Sequence, residues 1–297
     1  ARMEERWYQL GETTPVTEGD MTLLTARLLA PRLEQLGASV TLVRKTPDPV
    51  TRLRPVDFVE YAAGLFPGAP EHEILTRAER FFYRTAEIRA RATLVNETIR
   101  PDLVLCLHFN AENWGKDPTD PSLSPRNHFH MILHGAYMDG EIAHEDERCE
   151  LLHKIFQRVH REEAALAEAL ATSFMKESSL PAYDYHAGKP ARQVGPALWA
   201  RNLLANRLYQ CPVLFFEPYV MNNAEVHARV QAGDYTGQRE VAGSLRKSIY
   251  REYVDAVVDG MATYYEAHRE STQPTPPGRE DPASSSSPSS APSPSSF

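Results

Sequence analysis

Two polar residues of catalytic type stand directly after apolar runs. His108 follows the run at 103–107, and Glu217 follows the run at 213–216. Continuous apolar runs of this length predict strands covered on both faces, and functional groups in open α/β sheets gather at the carboxyl ends of strands. Imidazole is the commonest protein ligand for zinc, and a carboxylate beside a metal-bound water can pass its proton to a leaving amine. The pair predicts a metal-assisted hydrolytic site. Taken singly, the His suits a structural hydrogen bond, and the Glu suits a helix cap or an ion pair with Arg.

The apolar spacing predicts the elements that must position these side chains. Pro31 should kink or break the first helix, and Gly37 should end it. Helices alternating with buried strands predict an α/β fold in three layers, with a mostly parallel or mixed central sheet flanked by helices. The predicted helices cover 18–36, 72–100, 145–176, 196–208 and 239–268, and the predicted strands cover 40–43, 103–107, 129–133 and 213–216. We expect the strand at 103–107 to be central.

Composition limits the classes of function. A chain that is 42% hydrophobic and 24% charged has the composition of a globular protein. Its net charge of −8 disfavours nucleic acid as a partner, and no apolar run is long enough for a transmembrane segment. Cys106, Cys149 and Cys211 lack the close spacing of a thiolate zinc site. We predict one catalytic domain over 1–270 and a disordered Pro- and Ser-rich tail over 271–297.

A third polar residue, Glu18, opens the first predicted helix. On composition alone it is best explained by the helix dipole. It is followed, in order, by Leu-Gly-Ala-Ser-Val-Thr-Leu-Val-Arg at 36–44, by Cys-Leu-His-Phe-Asn-Ala at 106–111 after Asp102, and by Pro-Val-Leu-Phe-Phe-Glu at 212–217 with Tyr219 and Asn222 after it.

This colinear set resembles the zinc-dependent N-acetylmuramoyl-L-alanine amidases of the amidase type 3 family, over most of residues 1–268. The resemblance implies a zinc-exopeptidase-like fold, with Glu18 and His108 as zinc ligands and Glu217 as general acid/base. Asn110 and Asn222, which lie in the same motifs, would contact substrate. The substrate would be peptidoglycan or a muropeptide, cleaved between N-acetylmuramic acid and L-alanine. Such an enzyme belongs in the cell envelope, periplasmic or extracellular, although no signal peptide is visible.

The sequence departs from this family at one ligand. The family's first zinc ligand is a His in an Asp-Pro-Gly-His-Gly-Gly segment upstream of the ligand Glu, and no such segment occurs here. We therefore expect the domain to be N-terminally incomplete, without the first strand and its His. Catalytic zinc usually takes three protein ligands. A two-ligand site would bind zinc weakly, which leaves the activity of the chain as given open.

Other side chains and other functions remain open at this stage. His128 and His130 share one face of a predicted strand, so His130 could lie near metal or substrate, although packing within the sheet explains it somewhat better. His134 ends the same segment. His186 lies in an aromatic loop that could contact substrate, although a surface loop without a chemical role explains it at least as well. The basic residues Arg44, Arg52 and Arg54 could bind a substrate carboxylate, although ion pairs explain them better. The competing functions are a non-catalytic envelope or peptidoglycan-binding protein with a degenerate metal site, and a zinc carboxypeptidase.

Overall fold

The protein is built around a mixed sheet. A computed structural model describes residues 6–185 and 191–272. His186 and the predicted tail beyond Thr272 lie outside this part. Within it the strands are β1 (Trp7–Tyr8), β2 (Val16–Thr17), β3 (Val104–Leu107), β4 (Phe129–Leu133), β5 (Arg192–Gly195), β6 (Leu198–Ala200), β7 (Val213–Pro218), β8 (Gln238–Val241) and β9 (Ser244–Lys247).

The central sheet has the strand order β3-β7-β4-β6-β5. Strand β3 runs parallel to β7, while β4 runs antiparallel to β7 and parallel to β6. The carboxyl ends of β3 and β7 therefore lie next to the amino end of β4, at one end of the strands. His108, Glu217 and His130 lie at this end, so the topology brings segments that are far apart in sequence to one place.

Helices cover both faces of the sheet. In the described residues they are α1 (Glu18–Gln35), α2 (Val59–Leu65), α3 (Glu71–Phe81), α4 (Glu87–Thr93), α5 (Glu145–Gln157), α6 (Val159–Ser178), α7 (Leu204–Leu208), α8 (Ala224–Gln231) and α9 (Ile249–Thr272). The main core joins α1, α6 and α9 to one face of the sheet, where Leu166, Phe216 and Tyr253 are fully buried. A second core joins α4 and α7 to the other face around Phe215 and Ile132. The predicted three-layer α/β architecture is confirmed.

The first helix and the segment after it correct two predictions. Helix α1 continues through Pro31 for another turn before ending, so the expected break is wrong. Gly37 ends the helix as predicted, with a positive φ of 94°. The predicted strand at 40–43 is absent, because no strand among the described residues lies beside it to complete a ladder of backbone hydrogen bonds.

One predicted helix is divided in two, and two others begin later than expected. The helix at 145–176 is divided at Arg158, whose left-handed backbone (φ 56°) lets α5 pack against α7 while α6 packs under the opposite face of the sheet. The helix at 196–208 begins only at α7, because Leu198–Ala200 is fully buried and pairs with β4 as a strand. The helix at 239–268 begins at α9. The residues before it form the β8–β9 hairpin, whose turn residues Ala242 and Gly243 both have positive φ.

Strand β3 was predicted to be central and is instead at the edge of the five-stranded sheet. Its first residue, Val104, is buried, whereas Leu105, Cys106 and Leu107 are only partly buried. An apolar run indicates burial on two faces but not the number of hydrogen-bonded neighbours. The sequence pattern therefore gave the correct strand with the wrong position.

Candidate functional site

Glu18 and His108 contact each other. Glu18 is the first residue of α1 and is 7% exposed, and its Oε1 lies 2.9 Å from Nδ1 of His108. The same oxygen accepts a hydrogen bond from the Phe109 backbone N–H at 3.3 Å. The other carboxylate oxygen, Oε2, lies 3.0 Å from Nη1 of Arg6. The two predicted ligands thus belong to one site, together with an arginine that sequence patterns did not indicate.

The carboxyl of Glu18 is held in its ionised form. Burial alone would raise its pKa, but the charge of Arg6 and the hydrogen bonds from His108 and the Phe109 backbone outweigh burial and lower the pKa to about 2. Glu18 therefore presents a negative charge to the site at neutral pH, in a largely dry environment.

Glu217 lies between two histidines on one face of the sheet. In the β3–β7 register Leu107 is opposite Phe216, so His108 follows at the level of Glu217. On the other side, His130 of β4 is directly opposite Glu217. Neighbouring strands lie about 4.8 Å apart, which places these side chains in a row. The imidazole of His108 stacks on Phe215, with ring centroids 4.1 Å apart and an interplanar angle of 12°.

The surroundings of Glu217 suit a group that exchanges a proton. Burial raises the pKa of its carboxyl, and the charge of Glu18 raises it further, while His108, Arg6 and Arg201 act in the opposite direction. A carboxyl with a raised pKa can accept a proton from water and return it to a leaving group near neutral pH. Glu18 and Glu217 are thus two carboxyls of one site whose pKa values are displaced in opposite directions.

A buried ion pair holds the end of β7 in place. Tyr219, two residues after Glu217, is fully buried in a left-handed backbone conformation (φ 53°), and its hydroxyl donates a hydrogen bond to Oε1 of Glu252 at 2.7 Å. Arg229 binds the same carboxylate with Nη2 at 2.9 Å from Oε2. This network links β7 to α8 and α9, and so fixes the direction in which the chain leaves Glu217.

Beside Glu217, aromatic rings and imidazoles form a surface that we call the aromatic wall. It consists of His128, His130, Tyr183, Tyr185 and Trp199. Nε2 of His130 lies 3.0 Å from the Tyr185 hydroxyl, and the ring centroids of Tyr183 and Tyr185 are 4.8 Å apart. Burial lowers the pKa of His130 to about 3 and also lowers that of His128, so both imidazoles are neutral at physiological pH. His130 thus lies next to Glu217, within a packed ring system.

The two predicted asparagines support backbone near the site. Asn222 is fully buried, accepts a hydrogen bond from the Glu112 N–H at 3.0 Å and donates one to the Ser122 carbonyl at 3.0 Å. The Oδ1 of Asn110 accepts from the N–H of Ala111, the next residue, at 2.7 Å. Both side chains hold the loop that follows β3. Direct contact of either one with substrate stays a prediction.

The remaining candidates lie at varying distances from the site. Arg44 donates to the carbonyl of Gly19 and so steadies the start of α1 next to Glu18. Arg54 binds nearby backbone carbonyls, and Arg52 is exposed. His134 is paired with the Tyr137 hydroxyl, away from Glu217. The spacing of His128 and His130 and the aromatic sequence Tyr183-Asp-Tyr185 were signals for the wall, whereas Arg6 and Arg201 carried no signal in sequence.

Glu18 and His108 fit two positions of a zinc site. A carboxylate oxygen and an imidazole nitrogen are typical zinc donors, and their 2.9 Å separation allows one ion to contact both. The described residues contain no group of three or more His, Cys, Asp or Glu side chains placed to hold a metal. The two donors are therefore of types that zinc accepts, but within the described residues they are fewer than the three protein ligands usual for catalytic zinc.

The chain shows only limited likeness to known proteins. No family model matches the sequence, and no curated protein matches it. Solved structures with some likeness include the N-acetylmuramyl-L-alanine amidase Ami1 from Mycobacterium smegmatis, at 14% identity and TM-score 0.47, covering 90% of this chain and 91% of that one. Ami1 from Mycobacterium abscessus has 19% identity and TM-score 0.45, covering 84% and 78%. The catalytic domain of the amidase CwlV from Bacillus (Paenibacillus) polymyxa has 13% identity and TM-score 0.43, covering 84% and 86%. All three TM-scores are below 0.5, so the fold assignment here depends on the sheet topology, and the chemistry depends on the site itself.

Proposed function

We propose that this protein hydrolyses the amide bond between N-acetylmuramic acid and L-alanine in peptidoglycan or in released muropeptides, with zinc as cofactor. The observation that carries the proposal is the convergence of side chains from three separate sequence segments. Glu18 contacts His108 across 90 residues of sequence, and Glu217 lies beside His108 in the sheet register. These are the positions that resemble the ligand and acid/base motifs of one amidase family, in the same order.

Each side chain has a distinct part in this reaction. Glu18, ionised by Arg6 and His108, supplies a fixed negative charge and one metal donor, and His108 supplies the other. Zinc, when bound there, would polarise the scissile carbonyl. Glu217 takes the proton of the attacking water and delivers it to the departing alanine nitrogen, a role that its raised pKa favours. We propose a location in the cell envelope or outside the cell, where this substrate occurs. No helix in the described ranges is long and apolar enough to cross a membrane.

The test is hydrolysis of N-acetylmuramoyl-L-alanyl-D-isoglutamine by the purified chain supplied with zinc. Mass spectrometry should detect N-acetylmuramic acid and L-alanyl-D-isoglutamine. Replacing Glu217→Gln should lower the rate by about 100-fold or more while zinc content is kept, since general acid/base catalysis contributes on that order. Glu79→Gln, which changes an exposed carboxyl on α3, is the matched control. Cleavage at the peptide C-terminus, or full activity of Glu217→Gln, would contradict the assignment.

A non-catalytic peptidoglycan-binding protein is the second candidate. The ion pair between Arg6 and Glu18 favours it, because a guanidinium already neutralises one of the two metal donors. This candidate predicts that the chain sediments with insoluble peptidoglycan, binds no zinc at micromolar concentration and releases no product. The amidase predicts bound zinc and released N-acetylmuramic acid. The same two measurements therefore separate the two functions.

A further inference from the structure

Arg126 and Arg201 both lie beside the aromatic wall, but they differ in their charged partners. Arg126, at one end of the wall, lies with Nη1 3.3 Å from Oε1 of Glu112, so its charge is compensated. Arg201, at the other end, has the Tyr185 hydroxyl at 3.5 Å as its polar side-chain neighbour, and no carboxylate of the described ranges lies within ion-pair distance. An arginine that is partly buried and lacks an anionic partner is suited to bind one from solution.

The position of Arg201 connects it to the proposed site. Its backbone N–H donates to the Leu133 carbonyl at 3.0 Å, which anchors the residue directly after β6. In the register of β4 and β6 it continues the face that carries Trp199 and Ile132, which is also the face of Glu217. The guanidinium reaches the Tyr185 hydroxyl, and that hydroxyl also contacts His130, the residue opposite Glu217. Tyr185 and His130 therefore link the guanidinium to the carboxyl assigned to proton transfer.

The charges next to the wall differ between its two ends, since Oε1 of Glu112 lies 3.4 Å from Nε2 of His128 and is paired with Arg126 at the end away from Arg201. The imidazoles of His128 and His130 are buried and neutral, and each has an Nδ1 with no hydrogen-bond partner among the described residues. Tyr183 and Tyr185 are partly exposed, and Trp199 packs behind Tyr185 with ring centroids 5.0 Å apart. A ligand lying on this wall would meet flat rings along its length and a positive charge at the Arg201 end.

We propose that Arg201 and the aromatic wall form a subsite that binds the carboxylate of the stem peptide on the alanine side of the scissile amide. The inference rests on the proposed amidase function for the identity of the peptide. It assigns to Arg201 the selection of a peptide with a free carboxylate over an amidated one, because a guanidinium binds a carboxylate through charge-assisted and often bidentate hydrogen bonds. His130 and Tyr185 position the guanidinium and the peptide.

The test is an NMR titration of the full chain with L-alanyl-D-glutamate and with its diamide. Neither contains the muramoyl–alanine bond, so the wild-type protein leaves both unchanged. We expect the acid to bind more tightly than the diamide. Arg201→Gln should lower the affinity for the acid roughly 10-fold or more and leave that for the diamide unchanged, as expected for loss of hydrogen bonds to a charged group. Arg126→Gln is the matched control and should leave the affinity for both ligands unchanged.

The outcomes separate the two proposals. Arg201-dependent binding of the acid without hydrolysis of the muramoyl substrate would keep the subsite and remove the amidase function. Hydrolysis with equal binding of acid and diamide, or with an equal loss of both in Arg201→Gln, would overturn the subsite alone. Absence of acid binding by the wild-type chain would also overturn it. A folded Arg201→Gln protein is confirmed by an unchanged melting temperature, and Arg201→Lys, which keeps the charge but loses the planar fork, should recover part of the affinity.

Discussion

Arg6 competes with a metal ion for the carboxylate of Glu18. Its guanidinium lies 3.0 Å from Glu18 and helps to lower the pKa of that carboxyl, and its charge also opposes the burial that raises the pKa of Glu217. A cation bound by Glu18 and His108 would meet this fixed positive charge at short range. In a partly screened environment, two like charges a few ångströms apart oppose each other by roughly 1–4 kcal/mol. Arg6 should therefore weaken metal binding at the site.

This leads to a prediction for zinc affinity. Arg6→Gln should bind zinc about 10-fold more tightly than the wild-type chain at neutral pH, since it removes the opposing charge and keeps the carboxylate of Glu18. Competition with a fluorescent zinc chelator measures the affinity. Arg32→Gln, whose ion pair with Asp255 lies on the outer surface of α1 and α9, is the control and should not change it. Equal affinity in all three proteins would remove Glu18 as a zinc donor.

The positions of the candidate site could be predicted where a residue of catalytic type follows a recognisable sequence pattern. His108 and Glu217 each follow an apolar run that predicts a buried strand, and functional groups in α/β sheets gather where such strands end. The proposed role of Glu18 required the resemblance as well, because any Glu at a helix start suits the helix dipole. Arg6 and Arg201 were not predictable, because neither lies in a pattern, and their importance depends on which carboxylates the fold places near them. A sequence shows charges but not their pairing.

At the scale of elements, α6 and α9 pack closely against each other. Gly260 lies where the two helices meet, and an added Cβ there would lie 2.8 Å from the Cα of Leu170 and 2.7 Å from its Cδ2. Leu170 is fully buried in the main core. The lack of a side chain at Gly260 is therefore a packing requirement of this helix pair. It is not a conformational one, because Gly260 has an ordinary helical backbone.

Gly260→Ala should consequently destabilise the protein by about 1–3 kcal/mol, the usual cost of forcing extra volume into a packed core. Urea unfolding followed by circular dichroism gives the free energy of unfolding. Gly64→Ala is the matched control, since Gly64 is also helical and its added Cβ would meet nothing within 4 Å. There the gain in helix propensity should stabilise slightly. Similar changes at both positions would show that helix propensity, and not packing, decides the outcome.

Element boundaries were less predictable than element types because they depended on backbone features of single residues. The interruption of the helix at Arg158 requires a left-handed backbone, which a non-glycine residue adopts here. The turn at Ala242 and Gly243 requires two positive φ angles in succession. Helix-forming neighbours conceal both features in the sequence. The short strand β6 was missed for another reason. Three buried residues are too few to show a period of two, and their pairing with β4 and β5 makes them a strand.

At the scale of the whole molecule, the described residues form apolar clusters of unequal size. The main core surrounds α6 and α9, and the second core lies under α4 and α7. A third cluster is small and consists of Ala62, Ile74 and Ala78 with partly buried neighbours from the segment 58–81. Helices α2 and α3 pack mainly on each other, on the 3₁₀ turn Pro55–Phe58 and on the π-helical turn Phe82–Ala86. Since stability follows buried apolar contacts, this segment should open before the rest.

Hydrogen exchange measured by mass spectrometry tests this division. Amides in 59–81 should exchange faster than those in α6, α9 and β7, because local opening of the small cluster exposes few apolar side chains. Ile74→Ala should accelerate exchange in 59–81 and leave β7 almost unchanged. Leu166→Ala, a truncation of a fully buried side chain in the main core, should lower global stability by about 2–5 kcal/mol and accelerate exchange throughout. If Ile74→Ala instead accelerates exchange in α9 and β7 as much as in 59–81, the chain unfolds as one cooperative unit. The segment 55–81 would then be coupled to the strand ends around Glu217, although the apolar contacts of this segment are separate from those of the main core.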